Sequence, residues 1–479
     1  MSLIRLRVPA VLALLVATCY ASVLATYGFA DDFTVLEAAV LRLASVKHEV
    51  IAGGRPTFAF ILDASFRWAG TVERLAWLRA AGVSGIAMLA CLVYLQLIRR
   101  GWSRLEAFSI ALAIVAMPAF RLVAFWATGA AFPFAAVLGA LSFLLAERAT
   151  LSEGSRRAAA FAGAYLLLVL ALSIYQPAAM FFCAMAAIAF FSPQPRTSLR
   201  LLLGAGAVFA AGALTALALA RVGSAIFPVL PASRTTLSLD VPAKLLWFVR
   251  GALVDVFHYW APGHVPKLAL TVGLVVAGGC AAYLARERRS VVLGLGVASC
   301  LLIASYAPNL AAAESWSAYR TQIALGSVAV LLAAVAIKGY ASLIPGRCAT
   351  AVARGTLALL AACSLLAAAR YTHVTLVGPA ATELRWLKAE LAPERVAGHD
   401  GVRVIAAHWY DHIAPEVHYD EIGIPSLARA WSARGFAASV LREAGRSDIV
   451  VDAVEPDPEP TPAPAGTLVI DGRMIRALR

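Results

Sequence analysis

Two adjacent carboxylates stand at the head of the chemistry available to this sequence. Asp31 and Asp32 follow a long apolar run, in Tyr27-Gly-Phe-Ala-Asp-Asp-Phe33. Side by side at a bilayer surface they repel each other, so one keeps its proton to higher pH and suits a proton acceptor near neutrality. The same pair would also serve simply to end one helix and cap the next. Further on, Gly53-Gly-Arg-Pro56 offers Arg55 as a planar, permanently charged fork for a phosphate, with glycines that let the backbone approach it. Lipid headgroups would use such an arginine equally well. In Ser173-Ile-Tyr-Gln-Pro177 a span ends on Tyr175 and Gln176, which could bind sugar hydroxyls or sit in an interfacial aromatic belt. Arg121, His258, and Glu314 and Arg320 of the stretch Glu-Ser-Trp-Ser-Ala-Tyr-Arg complete the set. Polar groups at such depths pair with one another, often across a cavity, so a salt bridge competes with a substrate contact.

A last group, His408-Trp-Tyr-Asp411-His412 with His418, Asp420 and Glu421, has His-x3-His spacing. That spacing ligates a metal only on a helix, and the preceding Val402–Ala407 run reads as a strand, so no metal ligand is assigned. There is no HExxH, P-loop or GxSxG pattern, which disfavours soluble-type nucleotide binding and serine hydrolysis. No cofactor is assigned; a divalent metal stays open, with no carboxylate cluster beyond the Asp pair to hold one. Seven cysteines lie in or beside apolar runs without CxxC pairs, and read as small packing residues.

The elements that must position these groups are membrane helices. Of 479 residues, 61% are hydrophobic and only 14% charged, with a mean hydropathy of +0.78. A soluble domain carries about 25% charged residues, so soluble enzymes, disordered chains and disulfide-rich modules are excluded. Apolar runs of spanning length predict about eleven transmembrane helices: Val8–Gly28, Ala80–Ile98, Leu105–Ala119, Thr128–Ala146, Ala158–Ile174, Ala178–Phe191, Leu201–Ala220, Lys267–Leu284, Val291–Ala307, Ile323–Ile337 and Gly355–Ala369. Val23-Leu24-Ala25 would pass as a cleavage site, but the first run is long for a signal peptide and reads as an uncleaved helix.

Alternate connections, from Arg5/Arg7 through Arg99/Arg100/Arg104 to Lys338/Arg347/Arg354, hold sixteen basic residues against four acidic ones. By the positive-inside rule these are cytoplasmic, leaving the N-terminus inside and the C-terminus outside. The net charge of +13 is therefore largely a topology signal and calls for no nucleic acid. Two long outer loops, 29–79 and 223–266, contain Phe33–Ala44, Thr57–Trp68 and Lys244–Trp260, whose spacing predicts interfacial helices. The organisation is thus a transmembrane domain, 1–370, and a polar extracytoplasmic C-terminal region, 371–479. That tail reads as a small α/β appendage: helix Thr382–Leu391, strand Val402–Ala407, helix Trp431–Ala444, a Pro-rich connector within 455–466, and strand Thr467–Ile470.

Taken together, Asp31-Asp32 after the first span, Gly54-Arg55-Pro56 in the first outer loop and Tyr175-Gln176 after the fifth resemble the polytopic GT-C class of glycosyltransferases. Within that class they are most similar to the O-antigen-modifying glucosyltransferases of bacterial inner membranes. The resemblance covers the topology of roughly the first half, and the chain lacks the large C-terminal globular domain of some members. It implies a GT-C-like fold, an Asp31 or Asp32 base, and a sugar delivered on a polyprenyl phosphate to a surface glycan or lipid. Arg55, Arg121 or Arg320 would steady the departing phosphate, a separate polyprenyl-sugar synthase and flippase would supply the donor, and the site would face the periplasm. A transporter or flippase for a lipid-linked saccharide, and a glycan polymerase or ligase, are the competing readings. The first would need repeated halves and polar midplane residues, and the second more arginines than Arg234, Lys244 and Arg250 in the late outer loop.

Overall fold

A computed structural model describes residues 3–195, 199–227, 233–257, 266–346, 348–408, 424–456 and 462–478. The helices in chain order are α1 (Leu3–Cys19), α2 (Asp31–Val40), α3 (Ser45–Ala52), α4 (Pro56–Ala69), α5 (Leu75–Arg99), α6 (Arg104–Val115), α7 (Pro118–Phe125), α8 (Phe132–Thr150) and α9 (Gly154–Ile174). There follow α10 (Gln176–Ala179), α11 (Phe181–Phe191), α12 (Leu199–Ile226), α13 (Val241–Arg250), α14 (Ala252–Phe257), α15 (Pro266–Arg286), α16 (Val291–Ser305), α17 (Ala307–Ala311), α18 (Ile323–Ala341) and α19 (Cys348–Tyr371). The C-terminal region contains α20 (Gly378–Glu390), α21 (Pro393–Val396), β1 (Gly401–Ile405), α22 (Ala430–Glu443), β2 (Val450–Val454) and β3 (Thr467–Asp471).

Among the described residues, seven helices are long and apolar enough to cross a membrane: Leu75–Arg99, Ala127–Thr150, Gly154–Ile174, Arg200–Ile226, Lys267–Arg286, Tyr319–Ala341 and Cys348–Glu390. The pair α6 and α7, bent by 58° where Pro118 opens α7, raises this to eight. The count falls short of the eleven expected. At the remaining three places stand shorter apolar helices, Arg7–Cys19, Gln176–Phe191 and Val291–Ser305.

The first of these shows why a helix can be shorter than the apolar run that announces it. The apolar run continues to Gly28, but the helix stops at Cys19 because another side chain claims its carbonyls. Fully buried Arg79 donates to Val23 O at 2.6 Å, Ala25 O at 2.7 Å and Tyr27 O at 3.0 Å. The Tyr20 hydroxyl donates to Val115 O at 2.7 Å. Unwound backbone is tolerated at such a depth only where partners of this kind satisfy it.

Close helix contact rests on small residues, as in other membrane bundles. Gly279 of α15 and Gly339 of α18 leave no room for a Cβ between the two backbones. In the C-terminal region β1 pairs in parallel with both neighbours, in the order β2-β1-β3. Helix α22 makes the crossover between β1 and β2 and packs on both. The sequence pattern anticipated β1, β3 and both helices but not β2, whose Val-Val-Asp-Ala-Val run is half exposed and weakly alternating.

One expectation for the outer loops needs correction. Helix α2 does not lie on a bilayer surface: Phe33, Leu36 and Ala39 are buried, and α2 packs against α4 and the C-terminal α22. The apolar face that suggested an interface is covered by the protein itself, with Phe33 stacked on Phe436 at 3.8 Å between ring centres. The C-terminal region rests on the rest of the chain through α22, as a small appendage of this kind must. For Lys244–Trp260, the described part forms α13 and α14, with Val241, Leu245, Leu246 and Val249 of α13 exposed, in keeping with an interfacial helix.

Candidate functional site

At the end of the bundle where the long loops meet, a cavity of about 330 Å³ opens between three connections, the α9–α10 corner and the side of α12. Its charged lining comprises Arg55, Arg234, Arg320 and Glu314; Gln176 and Asn309 add amides. The α12 wall is apolar, with Phe209, Ala213, Leu214, Leu217 and Ala220.

Backbone contacts stitch these connections together. Gly54 takes φ +74°, a left-handed conformation suited to glycine, and a Cβ there would sit 2.9 Å from Thr235 Cγ2. Thr235 in turn donates to Ala52 O at 3.2 Å, so the Gly53-Gly54 turn is seated directly on the second long loop. That loop bridges to the third: Leu237 pairs antiparallel with Ala312, Ala313 N donates to Thr236 O at 2.7 Å, and Ser238 N to Ala311 O at 2.8 Å.

Arg55 and Arg320 are each mounted on aromatic rings. The Arg55 guanidinium carbon lies 4.8 Å from the centre of the Tyr175 ring, which is itself stacked on Phe132 at 3.7 Å. Burial lowers Arg55 to about 10, which leaves it a cation at neutral pH, and its Nε has no hydrogen-bond partner among the described residues. Arg320 lies over Trp316 at 4.6 Å and Trp126 at 5.0 Å. Gln176 donates from Nε2 to Gly54 O at 2.7 Å, and Asn309 Nδ2 is a buried donor with no partner among the described residues.

The two aspartates, equivalent in the sequence, separate sharply. Asp32 is fully buried and receives four donors: Phe29 N at 3.1 Å, Ala127 N at 3.4 Å, and both Thr128 N and Thr128 Oγ1 at 2.8 Å. Burial still pushes it up to about 6, against the Arg79 cation and those donors. Its carboxylate is committed to tying α2 to the bundle. Asp31, half-buried at the first position of α2, makes no such side-chain bonds among the described residues. Burial raises its pKa as well, opposed chiefly by Arg320 and Arg234, both cavity residues, while Glu49 adds to the rise. Asp31 is thus the carboxylate of the pair in the field of two cavity arginines, though it does not itself line the cavity.

Of the residues singled out from the sequence, Arg55, Gln176, Glu314 and Arg320 line the cavity, and Tyr175 supports it from beneath Arg55. Arg121 does not: it is buried at the bend after α6, 5.5 Å from the Tyr371 ring centre, and lines no part of the cavity. Its sequence position at a span end is right, but the Pro118 kink turns it toward α19. His258 and the stretch 409–423, with His412, His418, Asp420 and Glu421, lie outside the described residues. Among the described residues no three His, Cys, Asp or Glu side chains gather as metal ligands. Arg234 and Asn309 were not anticipated. Arg234 stood out only as one of few basic residues in its loop, and Asn309 carried no signal.

No protein-family model matches the chain, and no curated protein matches it.

Proposed function

We propose that the chain is a GT-C-type membrane glycosyltransferase that moves a sugar from a polyprenyl-phosphate carrier to an extracytoplasmic glycan or lipid acceptor. In this reading the three short apolar helices complete eleven membrane passes, and the basic connections put the cavity on the periplasmic side of a bacterial inner membrane.

The observation that carries the reading is one juxtaposition: among the described residues three arginines and one carboxylate line a single cavity, and two of those arginines, Arg234 and Arg320, act electrostatically on Asp31. Arginines gathered around a cavity create a field that favours an anion there. The apolar α12 wall suits an anion with a hydrocarbon tail, and the volume lies within the range of small-molecule sites, about 300–1,000 Å³.

The chemistry then follows from the groups in place. The arginines hold the lipid-linked phosphate, and Asp31 accepts the proton of an acceptor hydroxyl. The hydroxyl oxygen bonds to the anomeric carbon as the bond from that carbon to the phosphate oxygen breaks, with inversion. The electron pair leaves on the lipid phosphate, where Arg55 and Arg320 meet the growing charge. The leaving group is already a phosphate, so no nucleotide takes part. Asn309 Nδ2 and Gln176 are the amides available to sugar hydroxyls.

Mass spectrometry of cell-surface glycan with and without the chain tests the proposal. A hexose-sized increment that appears only when the chain is present supports it; identical glycans at verified expression contradict it.

A further inference from the structure

We infer that Ser426 and Ser432, on the C-terminal region, are positioning residues that hold the backbone at Ala30 and so aim Asp31; this rests on the reading of Asp31 as the base. Ala30 immediately precedes Asp31 and adopts φ +42°, ψ −108°, a conformation that residues bearing a Cβ rarely take. Such a conformation persists only where its surroundings impose it. Here they do so from both sides of one residue. Ala30 N donates to Ser426 Oγ at 3.1 Å, and Ser432 Oγ donates to Ala30 O at 3.1 Å.

The serines are themselves fixed. Buried Glu383 on α20 accepts from Ser426 N at 3.0 Å and from Leu427 N at 2.9 Å. Helix α20 follows α19, the last long apolar helix, so the path runs from the bundle through Glu383 and Ser426 to Ala30. Ser432 belongs to α22, which presses on α2 along its length. Thr34 Oγ1 donates to Trp431 O at 3.2 Å, and a Cβ at Gly435 would lie 2.9 Å from Thr34 Cα.

On the far side, Asp32 ties the same turn to Thr128 and Ala127. Asp31 thus projects from a turn gripped from two directions, and its own carboxylate takes no part in the grip. Release of Ala30 lets φ return to negative values and swings the first residue of α2 away from the cavity. The arginines sit on other connections, at 55, 234 and 320, so phosphate binding does not depend on the grip.

The test uses the full chain carrying Ser426→Ala and Ser432→Ala together. Two quantities are compared at matched membrane abundance: the fraction of surface glycan modified, and binding of a long-chain polyprenyl phosphate to the protein in phosphatidylethanolamine/phosphatidylglycerol vesicles. We expect glycan modification to fall at least tenfold with lipid-phosphate binding within twofold of the unaltered chain, and Ser432→Thr, which keeps the hydroxyl, to retain modification. Unchanged modification, or binding and modification lost together, overturns the inference. Asp31→Asn in parallel separates the two ideas. If it keeps modification, the base reading fails and the positioning role with it. If it abolishes modification while the serine variant is unaffected, only the positioning role fails.

Discussion

At one end of the bundle buried Arg100 pairs with buried Glu147, Gln96 donates to Glu147, and Lys338 reaches Glu106 at 3.4 Å. There too Arg289 donates to Phe190 O and Ser192 O, both at 3.0 Å. At the other end Arg55, Arg234 and Arg320 share a cavity in which Glu314 is the one carboxylate among the described lining residues, and Arg234 and Arg320 act on Asp31. The first arrangement neutralises charge inside the protein and leaves nothing to offer a ligand. The second gathers three arginines and one carboxylate of the described residues around a space, an arrangement suited to an anion. Asp32 and Asp31 differ in the same way one residue apart: the first spends its oxygens on four donors, and the second makes no side-chain hydrogen bond among the described residues.

The comparison breaks most visibly at Glu147. Glu147→Ala strands a buried Arg100 and should destabilise the protein by about 3–5 kcal/mol. Thermal unfolding in detergent reads this, and the surviving folded protein should bind polyprenyl phosphate as before. At the cavity end the pattern reverses. Arg55→Gln with Arg320→Gln should weaken polyprenyl-phosphate binding by roughly a hundredfold, since charge-assisted contacts to phosphate are the strong ones, and should leave the unfolding midpoint unchanged or higher. Asp32→Asn should cost about 1–3 kcal/mol, because an amide cannot accept from all four donors; Asp31→Asn should cost no stability. The smallest effects are those of pH, and they run in opposite senses. Transfer should rise with pH as Asp31 loses its proton, along a limb lying above the ordinary value of 3.8. For Asp32 the folded chain binds its proton more tightly than the unfolded chain, so its contribution to stability falls as pH rises from 3.8 to about 6 and is flat beyond.

Much of this was legible in the sequence. The long spans declared themselves because hydropathy is a local property: Ala80–Ile98 was expected where Leu75–Arg99 stands, and Trp431–Ala444 where α22 runs from Ala430 to Glu443. The outer-loop motifs at 55, 176, 314 and 320 converged on one cavity. What stayed hidden depended on partners far along the chain. Arg79 ends α1 from more than fifty residues away, and Ser426 and Ser432 grip Ala30 from about four hundred. The apolar face of α2 could not announce whether lipid or α22 would cover it. Asp31 and Asp32 could not be ranked before Thr128 was seen to occupy one of them, nor could Arg121 be set aside before the Pro118 bend fixed its direction.

The most direct test of the account is the mass of the surface glycan in cells bearing Asp31→Asn at wild-type membrane abundance. The account predicts that the hexose increment disappears while the protein stays folded and still binds polyprenyl phosphate. An increment that persists undiminished would contradict it.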